Sequence, residues 1–563
     1  MHSTPHLNIL TDPVFPVVTA SGARRWAALS DLLSEDRDFP VGFDWPRGDL
    51  SVASTELAIG LLALIYRPTR HEDWLAIWNG RSDVDVAERI GRLAPSFNLF
   101  GNAEGQGPRF CQDLDPLEGD ANAVEALFID TPGVNGQRKN TDLMTHRGRF
   151  AVLGVRAAAM ALYALQQFAP SGGAGNRTSM RGGGPMTTLA LLRKADGTDA
   201  PLRRVLLANL PLSFAGAEGW LEDDEMHRAL PWLRPTLTSD GASARTVAEA
   251  DPVAHPVQAF FGMPRRIRLI AAGTGLCPLS GEVGPLVTGF VQNPWGTSYS
   301  VWRHPLTPYR QNKDDAPYTV KPKAGRFGYR DWVGVTIGRE EKADKAFPAA
   351  AIAGLRNRTR ALRQLGLETR LMAAGWAMNN MEAERFLEAV QPLYLVAEDE
   401  GERAAALAQT ARAHADAAEA AVRLLRVAIN GALFDGKAKA TDSGVFEEAT
   451  DAFYERTEPA FHATLRQIAG GAAGGAAAPE ATAGAWLATI RNAAIRLFDE
   501  HVTGLLAGWL DPGFAERATN AYGRLRGGLS GTGKIAIDLG IPQPVGKARR
   551  HKAGRAAKEE TAS

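Results

Sequence analysis

Six glycines and two arginines crowd into Pro170–Thr188, PSGGAGNRTSMRGGGPMTT, without forming a repeat. Glycine has no side chain to hold a ligand off, so such a run lets backbone N–H groups come close to phosphates or base edges. Arg177 and Arg181 would supply the charge. Glycine content alone also describes a flexible linker. Pro185, which fixes one φ angle, and Met180 and Met186, which suit anchors in a core, argue instead for a shaped loop.

Two other stretches carry candidate chemistry. GLSGTGKI, Gly528–Ile535, spaces its glycines and Lys534 like a phosphate-binding loop. It departs from one in three ways: Ile535 stands where a Ser or Thr must hold magnesium, a helical segment precedes it where a strand should, and no helix clearly follows. A nucleotide-dependent enzyme using Lys534 is therefore the alternative function. On a helix expected over Phe347–Leu365, Arg356, Arg360 and Arg363 are four and three residues apart and share one face, either a solvated stripe or a phosphate track. The eleven histidines form no HExxH pattern, Ser171 lacks a GxSxG elbow, and Glu340-Glu341 sits in a charged, solvated segment, so no catalytic set emerges.

The elements that must position these groups follow from patterning. At 563 residues the chain is too long for one core. Its formal net charge of +0 speaks against whole-surface adhesion to nucleic acid and leaves local basic stripes open. Two cysteines, Cys111 and Cys277, fit a reducing compartment and cannot make a four-cysteine zinc site. The N-terminus lacks a basic region followed by an apolar one, and the apolar run Leu57–Tyr66 is too short to span a bilayer; the expectation is a cytoplasmic protein that engages no membrane.

In chain order, residues 7–17 suit an edge strand entering a turn, Glu56–Ile65 a buried helix, and 97–114 an irregular aromatic stretch. Leu127–Ile129 reads as a short strand running into the turn Thr131-Pro132-Gly133 and a loop with Arg138 and Lys139, an ordinary excursion or a nucleic-acid contact. An alanine-rich helix over 150–168 delivers the chain into the glycine segment. Strand-like runs occur at Arg203–Leu207, Arg266–Ala271 and Leu286–Val291, and after Gly366 an extended segment is interrupted by Trp376 and the pair Asn379-Asn380. Beyond residue 400, Gly, Pro and Trp thin out and four helices are expected near 401–433, 445–469, 483–510 and 513–527, the first facing inward with Leu407, Ala411, Ala415, Ala418, Val422 and Leu425. The fold class is α+β: a large mixed α/β domain over 1–380, a C-terminal four-helix bundle over 381–530, and a basic tail over 531–563, carrying Lys547, Arg549, Arg550, Lys552 and Arg555, that is expected to be disordered.

Several stretches together resemble the CasA family, the large subunit of the type I-E CRISPR surveillance complex Cascade. They are LNILTDPVFPV, FNLF with PRFCQD, LFIDTPG, GGAGNRTSMRGGGPMTT, VTGF before Trp295, GWAMNN and the C-terminal helices. The resemblance implies an antiviral role in recognition, without catalysis or cofactor. Such subunits test double-stranded DNA for the short protospacer-adjacent motif from the minor groove, help open the duplex for the guide CRISPR RNA, and recruit a separate helicase-nuclease. Position by position, it assigns the family's glycine loop to Gly173, Ala174 and Gly175, and its duplex-unstacking wedge to Asn380 with Asn379 beside it; many relatives carry the longer Gln where Asn380 stands. The family's minor-groove lysine falls near Gln292 and Asn293, where this chain has no lysine, so weaker affinity or another motif preference is expected. The loop that touches the guide RNA handle and a neighbouring subunit falls on Phe128, Ile129 and Asp130, and the lone Cys277 implies no metal site. Beside the resemblance, which has no motif for the helix-face arginines, the charge and placement of Arg177, Arg181, Arg356, Arg360 and Arg363 lead to the expectation that they hold the DNA backbone.

Overall fold

The structure, a computed structural model, describes residues 5–543 apart from 141, 143–145, 174, 213–220, 242–244, 301, 314, 341–343, 380–381, 440–443, 472–478 and 505–511. The chain forms two compact units, Met1–Gly401 and Glu402–Ser563. The division falls at 401 instead of 380 because the strand Glu382–Pro392 is hydrogen-bonded along the strand Leu367–Asn379, from Arg370↔Pro392 to Asn379↔Glu382. A cut at 380 would split that hairpin.

The first unit is built around one apolar helix, Gly48–Tyr66, nearly all of it buried. By length and composition alone this helix could cross a membrane, which corrects the expectation from the shorter apolar run, but 89% of its apolar window lies inside the protein. A Cβ at Gly60 would stand 2.7 Å from Phe260, so glycine is what lets the two backbones approach. Against it lies the helix Val155–Phe168, whose Tyr163 hydroxyl donates to the Phe260 carbonyl at 2.9 Å. Phe97, Phe110, Trp232 and Phe261 close the core in edge and stacked contacts.

Two carboxylates lie in this helix: Asp49 in its first turn, paired with Arg47 at 2.8 Å, and, midway along it, the fully buried Glu56, met by Arg181 from the glycine segment at 2.7 Å. Thr187 also donates to Glu56, and Thr307 accepts from Arg181 at 3.0 Å. Arg181 is thus held inside the core and is unavailable to DNA, which corrects its assignment to the backbone contacts.

Two sheets carry the site. In one, Val283–Asn293 is central and pairs with Ala121–Ala123, Leu153–Gly154 and Arg266–Leu276. In the other, Leu367–Asn379 lies between Glu382–Pro392 and Thr187–Lys194. Several sequence expectations give way. The N-terminal strand is Phe15–Thr19, central in its own three-stranded sheet and not at an edge. Arg203–Leu207 is helical, within Leu202–Ala208, held by guanidinium bonds from Arg203 and Arg204 to the carbonyls of Ile77 and Trp78. The helix over Phe347–Leu365 is a strand end, Asp344–Phe347, followed by two helices, Ala350–Ala353 and Leu355–Gln364. Trp376 does not interrupt its strand; it is buried in it, its ring 5.4 Å from that of Phe386.

Among the described residues the second unit has the long helices Gly401–Leu433, Val445–Gly470, Pro479–Phe498, continued by a π-helical turn at Asp499–Thr503, and Pro512–Gly528, with a short one at Lys534–Asp538. All six inward positions expected on the first are buried. Ile535 and Leu539, four apart, bury the start of the stretch expected to be disordered, so 531–543 packs; the basic residues 547–555 lie outside the described residues. The short helix also removes one argument against a phosphate loop at Lys534, though a helix still precedes it and Ile535 is buried.

Two consequences are measurable. Arg181→Met leaves the Glu56 carboxylate buried without its partner and is expected to cost roughly 3–5 kcal/mol in urea unfolding, most of it regained in Glu56→Leu/Arg181→Met; unchanged stability of the single variant would contradict the pairing. In the second unit burial pushes His414, stacked 4.9 Å from Trp486, down to about 4, and burial with help from Arg466 does the same to His462. The unfolded chain takes up those protons near pH 6.5 and the folded one only near 4, so stability is full above about 6.5 and falls as pH drops towards 4. His414→Phe/His462→Phe is expected to flatten that fall by at most about 1.4 kcal/mol per pH unit for each histidine.

Candidate nucleic-acid interface

The helix Val155–Phe168 ends at Ala169, and the Pro170 carbonyl that follows is held at 2.6 Å by Arg265, whose guanidinium burial pushes down to about 10. The glycines then close a tight turn: Gly172 N–H donates to Asn176 at 3.2 Å and Asn176 N–H to Gly173 at 3.3 Å. The turn rests on the end of the strand Val283–Asn293. Gln292 donates its amide to Asn176, and Trp295 N–H donates to the Gly175 carbonyl at 3.0 Å. Gly175 has φ +77°, and a Cβ there would meet the Trp295 ring at 2.8 Å, so both conformation and space demand glycine. Gly173 is the opposite case: it is exposed, and a Cβ there would meet nothing within 4 Å.

Arg177 locks the same corner. It donates to the Ser239 hydroxyl at 2.7 Å and carbonyl at 2.9 Å, and its guanidinium lies 5.0 Å from the centre of the Trp295 ring. No carboxylate pairs with it among the described residues, so its charge remains for an incoming anion. Trp295 is 38% exposed at a left-handed φ of 63°.

The second half of the segment is packed, as Met180 and Met186 suggest; both are 5% exposed. Gly184, at φ +59°, passes so close to the long hairpin that a Cβ would lie 2.7 Å from the Trp376 carbonyl. Thr187 then pairs with Ala374 of the hairpin. Beyond that pairing the hairpin strand continues for five residues to the exposed Asn379, about 17 Å at roughly 3.3 Å per residue.

The structure therefore brings Gly173, Gly175, Gln292 and the neighbouring Asn293 to one corner, and ties the far end of the same segment to the stem of the hairpin that carries Asn379. Ala174 and Asn380 lie outside the described residues. Asn176, Ser239 and Trp295 belong to this corner and were not singled out from sequence; Trp295 follows Pro294 in a stretch notable only for recurring Pro and Trp.

Other assigned residues are elsewhere. Leu127–Ile129 is no strand: Val124–Leu127 is a 3-10 turn, and Phe128 is buried with the Arg47 guanidinium 4.4 Å from its ring centre, so it cannot touch RNA as placed. Asp130 is paired with Arg47 at 2.9 Å and Arg149 at 3.5 Å; burial favours its neutral form, but Arg47 outweighs this and lowers its pKa. Ile129 is half-buried. On Leu355–Gln364, Arg360 pairs with Asp399 and Arg363 with Glu400 at 3.2 Å, which neutralises two thirds of the supposed phosphate track; Arg356 is exposed and makes no ion pair among the described residues. Arg358, unremarked in the sequence, is buried over Trp74, donates to the Ala208 and Leu210 carbonyls at 2.6 Å, and is pushed by burial down to about 9. No cluster of three potential metal ligands occurs among the described residues.

Comparison with known proteins agrees over almost the whole chain. Residues 8–497 match the family described as CRISPR-associated protein Cse1. Among solved structures, Thermobifida fusca Cse1 is 17% identical with a TM-score of 0.66, covering 96% of this chain and 99% of that one. CasA of Thermus thermophilus is 18% identical with a TM-score of 0.64 over 92% of this chain and 99% of its own. A chain of a CRISPR RNA-guided surveillance complex is 17% identical with a TM-score of 0.65, covering 93% of this chain and 100% of that one. At such identities the structures speak for the fold, a mixed α/β unit followed by helices. The family match, spanning most of the 563 residues, carries the rest: this chain belongs to the CRISPR-associated Cse1 family.

Proposed function

We propose that this chain is the duplex-inspecting large subunit of an RNA-guided CRISPR surveillance complex, acting in the cytoplasm without chemistry of its own. The observation that carries the proposal is the turn at Gly172–Asn176, held rigid by Gln292 and Trp295 while Gly173 faces open space. B-DNA's minor groove is only about 6 Å wide and shows an almost uniform row of acceptors, with one donor on G·C pairs. A backbone turn without side chains can enter it, and neutral amides such as those of Gln292 and Asn293 can test its edges without demanding one base. Arg177 supplies charge at the rim, and with no lysine in the strand end the shape of the turn carries more of the affinity.

In this proposal the hairpin tip with Asn379 and Asn380 supports strand separation, and the guide CRISPR RNA then reads the sequence by pairing. The other Cascade subunits supply the guide, and a separate helicase-nuclease is recruited to cut. At the guide handle, exposed Arg149 beside Asp130 is a better phosphate contact than buried Phe128.

The test uses the complex assembled with its partner subunits and guide RNA. Gly173→Asp adds a carboxylate where nothing is displaced, so the complex should assemble normally while affinity for motif-bearing duplex falls at least about tenfold. Asn379→Ala should weaken strand opening, read by a fluorescent base in the target, with less effect on initial binding. Equal affinity of wild type and Gly173→Asp would remove the proposal. The alternative, nucleotide turnover at Lys534, requires ATP hydrolysis by the purified chain that Lys534→Ala abolishes, and none is expected.

A further inference from the structure

A cavity of about 430 Å³ lies at the stem of the long hairpin, on the first unit. One wall is made by the cross-strand pair Ala373 and Ala389. The helix Tyr329–Thr336 closes a second side with Gly334 and Val335, fixed by the Trp332 indole donating to the Pro392 carbonyl at 2.7 Å. Residues 320–327 form the third side. That stretch is tied down at its start and its middle: Met186 N–H donates to the Val320 carbonyl at 2.9 Å, and Arg385 donates to the Ala324 carbonyl.

The rim is cationic. Six basic residues line the cavity and Asp331 stands among them, while the Glu388 carboxylate lies on the other face of its strand, against Gly48. Lys321 and Lys323 are exposed on either side of the buried Pro322, as alternation along an extended chain requires, so both reach the same side. Neither they nor Arg310 pairs with a carboxylate among the described residues. Three unpaired cations around one mouth match a phosphate better than a single carboxylate. The alanine wall and the Phe327 ring suit a planar ring, and the Asp331 carboxylate can accept from an exocyclic amino group. Small-molecule sites run from roughly 300 to 1,000 Å³, which gives this volume room for a single nucleotide unit inside the cavity.

We propose that this cavity binds one nucleotide unit, its base against Ala373, Ala389 and Phe327 and its phosphate on Arg310, Lys321 and Lys323. The inference does not rest on the duplex-inspecting role, because none of these residues lies in the Gly173 corner. The nucleotide can be free or part of a single strand, since both present the same base and phosphate.

Isothermal titration of the full chain with deoxyadenosine monophosphate, inorganic phosphate and a short single-stranded oligodeoxyadenylate tests it. The monophosphate is expected to bind more tightly than phosphate. Lys321→Ala/Lys323→Ala, exposed and away from the core, should weaken it about tenfold or more, and Phe327→Ala should weaken the monophosphate while leaving phosphate unchanged. Tighter binding of the oligonucleotide than of the monophosphate assigns a strand as the source; binding of the monophosphate alone assigns a free nucleotide. No binding at millimolar monophosphate, affinity equal to that of phosphate, or affinity indifferent to both variants would overturn the site.

Discussion

The arrangement depends on one buried ion pair. Glu56 stands in the middle of a largely apolar helix whose only other charge is Asp49 in the first turn, and Arg181 reaches it from the glycine segment, with Thr187 bonded to the carboxylate and Thr307 to the guanidinium. A lone charge there would be prohibitive, so the segment has little choice about where its second half lies. Because Arg181 and Thr187 are only six residues apart, the same anchor fixes the first residue of the strand Thr187–Lys194, and through it the register of the long hairpin.

That anchor divides nineteen residues into two parts with different physics. From Ser179 to Thr188 the chain is largely buried and shaped by close approaches, as at Gly184 against Trp376. From Gly172 to Asn176 it is a turn held from outside, by Gln292 and Trp295 on one flank and by Arg177 across to Ser239 on another. Rigidity at the base and empty space at the tip suit a probe that must enter a narrow groove without the entropic cost of ordering itself on arrival. The nearby cavity shares the hairpin but faces different residues, so one element supports two surfaces.

Local patterns told most of the fold. The apolar run around Glu56, the inward stripe of Leu407 to Leu425 and the paired strands around Arg266 and Leu286 are each visible because period and burial agree over many residues. Arg177 and Arg181 show where such reasoning stops. They are the same residue type four positions apart in one loop, and only a carboxylate 125 residues away decides that one is core and the other rim. Arg360 and Arg363 looked like a basic track because Asp399 and Glu400 are distant in sequence and adjacent in space. Phe128 was read as a surface contact because nothing local announces the Arg47 guanidinium that covers it. The family resemblance assigned Gly173 and Gln292 separately and the structure brings them to one corner, where the lack of a lysine is a property of this chain that the neutral Gln292–Asn176 contact makes concrete.

The central claim is that a side-chain-free turn inspects the minor groove, and base analogues test it most directly. In the assembled complex, the preferred motif can be altered on its minor-groove edge alone, by inosine for guanine or diaminopurine for adenine, or on its major-groove edge alone, by 7-deaza purines. The account predicts that affinity changes with the minor-groove analogues and is indifferent to the 7-deaza ones. The reverse pattern would contradict it.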